Sequence, residues 1–463
     1  MKKISWFFCS LLALALVYSC NRDELSFESA SQKLRFSKDT VLLDTVFSSV
    51  RSETYALKVY NQEDKDVSIP RIYLENGGNS WFKINVDGTA GVDFHDIPIR
   101  AHDSLYIFVE IAPKAVNSSD MLADENLIFN TLNNTQSVKL LALVEDADFY
   151  YSPDGKTEIS SDLTWNNAKS KVIYGNLKVT KGAKLTIDEG TRVYFHKGAS
   201  LTIDENSELN INGTLGKEVI LRGDRNDPKY DSLPKNWENI YLSSLAIAKV
   251  NYAIVKGGTD AFVLEPASQL EISNTQIYNF SNTGIYAIGA EVTGKNLVAN
   301  NCGNADLMLQ FGGNYDFTHC TFANFYNLTP ASGYAAYLSN SYDNQYNALN
   351  AVFKNCIFWT GKSSNNSLYF NKSEQEAFHY VFDTNLIKNS SNGIKIEGDP
   401  NFINIILNEN PSFTNTQFSK NLLNLKPDSP AFGKGNVTYA NAVPYDIKGV
   451  LRTSSPTLGA YQQ

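Results

Sequence analysis

The phrase Leu-Thr-Ile-Asp-Glu is written at residues 185–189 and again at 201–205, sixteen residues later. Each copy is followed by a second short apolar strand, Val193-Tyr-Phe195 and Leu209-Asn-Ile211. Short alternating strands at a fixed period, with small or polar corners between them, mark a solenoid. One coil of such a fold cannot bury its own faces, so the segment has to stack.

From Asn251 a second register runs on, reading polar-x-x-Ile/Val/Phe. Its marks start at Asn251, Asn274, Lys295, His319, Asn355 and Thr384, spaced 23, 21, 24, 36 and 29 residues. Three spacings near one coil and two longer ones predict a solenoid with loops let out on one side. Companion strands lie between the marks: Phe262-Val-Leu264, Gly284-Ile-Tyr-Ala287, Leu307-Met-Leu309, Tyr334-Ala-Ala-Tyr-Leu338 and Leu368-Tyr-Phe370. Asn at a corner takes the left-handed backbone conformation at low cost and bonds to the next Asn up a ladder.

These rows of like residues resemble the right-handed parallel β-helix of pectate-lyase-like proteins. The resemblance includes the closing string Asp399-Pro-Asn-Phe402, Leu425-Lys-Pro-Asp-Ser-Pro-Ala431, Gly435, Asp446-Ile-Lys-Gly-Val-Leu-Arg452 and Leu458-Gly-Ala-Tyr461. It implies a terminal coil that caps the stack, since an open end exposes unpaired backbone groups. At the other end, Asp148–Ser161 is expected to cover the first coil.

Ahead of the solenoid, Leu34 to about Glu145 holds roughly seven short alternating strands, the number expected of an immunoglobulin-like sandwich. Turn residues such as Asn76-Gly-Gly-Asn79 separate them. Asp44-Thr-Val-Phe47, Asn85-Val-Asp-Gly88, Asp103-Ser-Leu-Tyr106 and Leu141-Ala-Leu-Val-Glu-Asp146 resemble an N-terminal Ig-like domain of exported Bacteroidetes proteins. The fold class expected is therefore all-β: an immunoglobulin-like β-sandwich followed by a right-handed parallel β-helix.

The N-terminus reads as an address. Lys2 and Lys3 precede an apolar run from Ile4 to Tyr18 that is short for a membrane span, and Val17-Tyr-Ser-Cys20 resembles a bacterial lipobox. The resemblance implies cleavage before Cys20, lipidation of its thiol and a membrane anchor; an ordinary signal peptide or an uncleaved anchor is the alternative. Asn21-Arg-Asp-Glu24 resembles the acidic signal that sends such lipoproteins to the outer face of the outer membrane, and a solvated linker explains it as well. The expected organisation is a signal peptide over 1–19, a tether over 20–32, the sandwich over 33–146, and the β-helix with its C-terminal cap over 147–463. A net charge of −9 with no polybasic run argues against nucleic acid as a partner. Beyond the leader and Cys20 only Cys302, Cys320 and Cys356 remain, an odd number that gives no disulfide framework.

Chemistry is sparsely written. A lyase acting on a uronate needs a basic residue and a cationic clamp, yet no Arg stands between Arg225 and Arg452. A hydrolase needs two carboxylates within about 10 Å. The Asp and Glu residues of the solenoid are scattered singly, and Asp306 with Asp316 is the pair that adjacent coils could bring together. His95, His102, His196, His319 and His379 lack metal-ligand spacing, so neither a metal nor a cofactor is expected. The insertion from Gly223 to Trp237 breaks the coil rhythm and offers Tyr230 and Trp237 for stacking on sugar rings; the aromatic run Tyr315–Tyr346 offers the same. The leading expectation is a surface or envelope lipoprotein that binds glycan or cell-envelope material, or acts as an adhesin, without catalysis. A polysaccharide lyase or glycoside hydrolase on the same scaffold, and a simple spacer, are the alternatives.

Overall fold

The computed structural model describes residues 27–114, 120–151, 156–226, 230–330, 333–361, 366–390, 393–452 and 454–462. Cys20 and the leader lie outside the described residues. The chain divides into two compact units at Val144/Glu145.

The first unit is two sheets of six and five strands. Val67–Leu74 pairs antiparallel with Asp120–Asn130, and Tyr55–Tyr60 pairs antiparallel with Ser104–Ile111. Inward residues alternate along the strands: Leu57 and Val59 of one sheet and Val67 and Ile69 of the other are fully buried. Phe36 and Phe129 meet across the two sheets with ring centroids 4.7 Å apart. One strand, Asp93–Ile99, does not read as a strand in the sequence. Asp96 stands in it at φ 52° and Pro98 follows, so the alternation that marks a strand is broken.

The second unit is a parallel β-helix whose walls are three parallel sheets of 11, 9 and 10 strands. As far as Phe378–Asp383 each coil contributes one short strand to each sheet in turn; beyond it only the first and third sheets continue. Leu185 pairs with Leu209 and Leu177 with Leu201, so one early coil takes 24 residues. The two Leu-Thr-Ile-Asp-Glu phrases therefore do not stack on each other. The first lies in the third sheet (Lys184–Asp188) and the second in the second sheet (Ser200–Ile203), two sides of the coil apart. A period of sixteen is two thirds of a three-sided coil.

The corner between the third and first sheets sets this geometry. Tyr252, Asn274, Asn296, His319, Asn355 and Thr384 occupy it in successive coils, with φ between 46° and 58°. Each is left-handed, which lets the chain turn within one or two residues. Asn accepts that conformation with little strain and has an amide left to share. Asn274 Nδ2 donates to Asn251 Oδ1, and Asn296 Nδ2 to Asn274 Oδ1, each at 2.9 Å. Asn355 Nδ2 donates to His319 Nε2 at 2.9 Å. Two of the marks read from the sequence, Asn251 and Lys295, are strand ends one residue before the true corner.

In-register stacking places like on like inside the coil. Phe317, Phe353, Phe382 and Phe402 form a column with centroids 5.5, 4.6 and 5.0 Å apart. The segment expected to cover the first coil is instead part of that coil: Ala147–Tyr150, Lys156–Ile159 and Leu163–Trp165 begin the three sheets, with Tyr150 against Trp165 at 4.8 Å. At the far end Ile394, Ile396, Phe402 and Ile405 pack on the core.

Of the closing string only its opening, at Phe402, packs at that end; the remainder, from Leu425, does not cap it. It runs back along the flank of the stack. Phe413, Leu423, Leu425, Ile447, Leu458 and Tyr461 pack on Val298, Ala323, Ile357 and Leu386, which face outward from the first sheet. Arg452 is 6% exposed, and its Nη2 donates to Asn296 Oδ1 of the corner ladder at 2.8 Å and to Gly459 O at 3.2 Å. Burial pushes this guanidinium down to about 10, although Asp446 opposes the shift. Burial, and then Arg452, hold His319 well below the usual imidazole value. The neutral ring donates from Nδ1 to Gly459 O at 3.3 Å and accepts from Asn355 at Nε2. The outward apolar row of the first sheet is the reason: a bare end needs covering only at its edge, whereas this row needs covering along its length.

Replacing Asn274 by Ala is expected to cost about 2 kcal/mol, from left-handed strain and a lost ladder bond. Asn274→Gly, which carries no strain penalty, should cost roughly half as much. Urea denaturation midpoints of the two variants test the order.

Candidate ligand-binding face

The expected site residues part company in the structure. Asp306 is fully buried at a corner of the second sheet, while Asp316 lies on the third sheet, half-exposed and ion-paired with Lys354 at 2.7 Å. They form no catalytic pair. Asp306 stands in the register row of Gly284 and Ala335, and a Cβ on Gly284 would meet Asp306 O at 2.4 Å. Its Oδ1 accepts from Asn324 Nδ2 at 3.1 Å. Its Oδ2 has only the weak thiol donor of Cys302 beside it. Burial without a cation pushes this carboxyl well above its ordinary value.

Trp237 is also core. Its ring is 0% exposed and stacks on Phe195 at 4.3 Å and 14°, and its Nε1 donates to Lys256 O at 2.9 Å. A tryptophan at the end of an insertion is as well placed to re-enter the core as to face water, and here the hydrophobic interior takes it. Tyr230 stays on the loop, but the Arg225 guanidinium lies 3.5 Å from its ring centroid and covers that face. Asp231 then ties the loop down through Arg222 at 2.9 Å and Lys256 at 2.6 Å. Trp237 therefore offers no ring to a sugar, and one face of Tyr230 is taken by Arg225. Cys302, Cys320 and Cys356 are buried and free, and no cluster of His, Cys, Asp or Glu suited to a metal occurs among the described residues.

The three outer faces of the coil differ in kind. From Val298 onward the closing segment covers the first. The third is polar and neutralised within itself, by Lys184–Glu208 at 2.8 Å and Lys354–Asp316 at 2.7 Å. Outward from the second sheet, one register row reads Lys178, Thr202, Tyr241, Val263, Tyr286, Met308, Tyr337 and Tyr369. From Tyr241 this row is a stripe of rings and apolar side chains spanning six coils. Tyr241, Tyr286 and Tyr337 are half-buried and Tyr369 is 43% exposed. Tyr337 and Tyr369 stack at 5.2 Å and 14°, and Tyr334 leans on Tyr369 at 5.2 Å.

The stripe is held from its sides. The Tyr241 hydroxyl donates to Glu265, and the Tyr286 hydroxyl donates to Gln310 Oε1 at 2.7 Å. Tyr342 sits on a hairpin of Ser341–Tyr342 and Gln345–Tyr346 and reaches the Tyr286 hydroxyl. Desolvation, followed by the carboxylate of Glu265 or by Tyr342, raises both phenols above their ordinary value, so they stay neutral. Below Tyr241 the stripe opens into a shallow polar groove of about 350 Å³, lined by Asn176, Lys178, Ser200, Thr202, Asp204 and Tyr241 among others. The sequence held the signal: the stripe residue is the last but one of each companion strand, Val263, Tyr286, Met308, Tyr337 and Tyr369. The run Tyr315–Tyr346 mixes roles, since Tyr315 is buried with its hydroxyl on Gly312 O at 2.6 Å whereas Tyr337 and Tyr342 face out.

Asp306→Ala is expected to keep or raise the melting temperature, because it removes a poorly partnered buried carboxyl from a row that already holds Ala335. A folded-state pKa that is raised makes the wild-type contribution favourable below the ordinary value of 3.8 and unfavourable as pH rises beyond it. The variant's gain should therefore grow with pH, as calorimetry at several pH values would show.

No family model and no curated protein matches this sequence. Among solved structures, the pectate lyase Pel9A aligns at 12% identity and a TM-score of 0.31, over 69% of this chain and 88% of that one. The catalytic unit of a GH87 alpha-1,3-glucanase from Streptomyces thermodiastaticus aligns at 11% identity and a TM-score of 0.31, over 72% and 80%. The Vibrio cholerae VesB protease aligns at 10% identity and a TM-score of 0.18, over 24% of this chain and 31%, under a third, of its own length. Likeness at this level carries no inference about chemistry.

Proposed function

We propose that the chain is an envelope-anchored lipoprotein whose β-helix binds glycan along the tyrosine stripe without cleaving it. The anchor is Cys20, and an immunoglobulin-like sandwich stands between tether and coil in chain order. One observation carries the binding reading: six coils align Tyr241, Val263, Tyr286, Met308, Tyr337 and Tyr369 in one outward row, flanked at Tyr286 by the Tyr342 hairpin. Aromatic side chains combine an apolar ring with a polar rim, which suits a sugar with C–H groups on one side and hydroxyls around it; the facing surfaces of Tyr337 and Tyr369 are taken by each other. Backbone register makes the row straight and rigid, so little ordering cost attends binding.

A hydrolase reading has one observation on its side. Asp204 and Glu265 follow the paired ends of their strands on the same face, two coils apart, which is roughly 10 Å at the spacing of parallel strands. That lies at the upper limit for an inverting pair. Both carboxyls are partly open to water, however, and Glu265 is engaged by Tyr241. A general acid needs surroundings that keep it protonated near neutral pH.

A glycan array probed with the detergent-solubilised full chain, followed by mass spectrometry of each bound sugar, separates the two. Intact bound sugars are expected. Shortened products that vanish in Glu265→Gln would establish the hydrolase instead. For the anchor, Cys20→Ala should move the protein from the membrane pellet to the soluble fraction, and continued sedimentation with membranes would refute lipidation at that residue.

A further inference from the structure

We infer that the ligand of the tyrosine stripe is a neutral, unbranched glycan lying parallel to the coil axis; this rests on the glycan-binding reading above. Charge gives the first argument. The six strands that carry the stripe are Ile240–Leu242, Asp260–Leu264, Thr283–Ile288, Ala305–Gln310, Tyr334–Ser339 and Leu368–Asn371, and none contains Lys, Arg or His. The carboxylate beside Tyr241 is Glu265. Asp260, on the next strand, is buried with Oδ1 accepting from Thr283 N at 3.0 Å and Asn282 Nδ2 at 2.7 Å. A polyuronate or sulfated chain laid here would meet carboxylate and phenol with no counter-cation. Such anions are gripped by cationic forks, which the six strands of the stripe lack; Lys178 of the same row stands two coils below Tyr241, and Lys372, beyond Asn371, pairs with Glu374 at 2.9 Å.

Spacing gives the second argument. Tyr241, Tyr286 and Tyr337 stand at every second coil, with the smaller Val263 and Met308 between them. Two coils rise roughly 10 Å, close to the length of one disaccharide in an extended chain. Alternate sugars of such a chain turn the same face to one side, so successive tyrosines meet equivalent rings. The flanking Tyr342 hairpin limits bulk on one side of the row and so disfavours branches there.

The polar atoms on offer suit hydroxyls. Gln310 Oε1 and Glu265 accept from the tyrosines, and Asn371 lies at the end of the strand that carries Tyr369.

Isothermal titration of the detergent-solubilised full chain tests this, with soluble β-glucan and mannan against polygalacturonate and chondroitin sulfate. Binding to a neutral polymer, little affected by salt, is expected. Affinity for its oligosaccharides should rise with length and level off once they span Tyr241 to Tyr369, about 24 Å. Tyr286→Ala and Tyr337→Ala should each weaken binding about tenfold, while Tyr286→Phe, which keeps the ring, should change it little. Circular dichroism melting of each variant confirms that it folds. Salt-sensitive binding of the anionic polymers that the Tyr→Ala variants abolish would overturn neutrality and leave glycan binding at the stripe standing. Neutral binding that survives both Tyr→Ala changes would overturn the stripe as its site. Silence toward all four polymers would overturn this inference and the function proposed above together.

Discussion

A left-handed corner residue that recurs in the coils from Tyr252 to Thr384 governs this structure. At the corner between the third and first sheets, a residue at φ near 50° turns the chain so tightly that the next strand starts in register with the one below. Asn fills the position where it can, because its side chain tolerates the backbone and passes a hydrogen bond to the Asn of the next coil. Where Asn is missing, His319 stands in, neutral and bonded at both ring nitrogens. Fixed register then decides what each side chain meets: its own equivalent one coil away. Inside the coil the rule builds the phenylalanine column; outside, the same rule builds the tyrosine row. The proposed binding face is thus a by-product of the corner rather than a pocket shaped by loops.

The three outer faces solve one problem in three ways. A stack of parallel strands presents long rows of side chains, and each row has to be covered, charged or put to use. On the first sheet the chain covers an apolar row with its own closing segment. On the third it sets Lys against Glu and Asp across neighbouring coils, pairs that individually contribute little but keep the surface polar. On the second it leaves rings half-exposed and steadied by Glu265, Gln310 and Tyr342.

Much of the fold is legible in the residues because periodicity is a local property. The companion strands and the corner marks can be picked out one by one, and all-β architecture follows. Legibility fails where a choice is made in three dimensions. The two Leu-Thr-Ile-Asp-Glu phrases look like consecutive rungs, but identity of sequence does not say which wall a strand joins, and they stand on different sheets. Trp237 and Asp306 look available because Trp beside Asn and Lys, or Asp beside Asn and Ala, usually faces water; here the chain turns them inward. The tyrosine row stayed hidden for the opposite reason. Its members are spread over 129 residues and become neighbours only when coils of unequal length are aligned. Insertions between Tyr286 and Tyr369 erase the period in sequence and leave it intact in space.

The segment folded back along the flank alters what kind of object the solenoid is. A plain stack interacts only between adjacent coils, so its stability is nearly a sum over neighbours and coils can be added or lost with little penalty. Here Phe418 O reaches Asn279, Arg452 reaches Asn296, Gly459 N reaches Asn355 O and Tyr439 reaches Asp383. The segment thus grips four coils at set heights, passing along the flank more than once. Over that span the number of coils is fixed, because inserting one would move every grip out of reach. The same segment reaches Leu215 through Gly449, so the fixed span takes in coils before Asn279 as well.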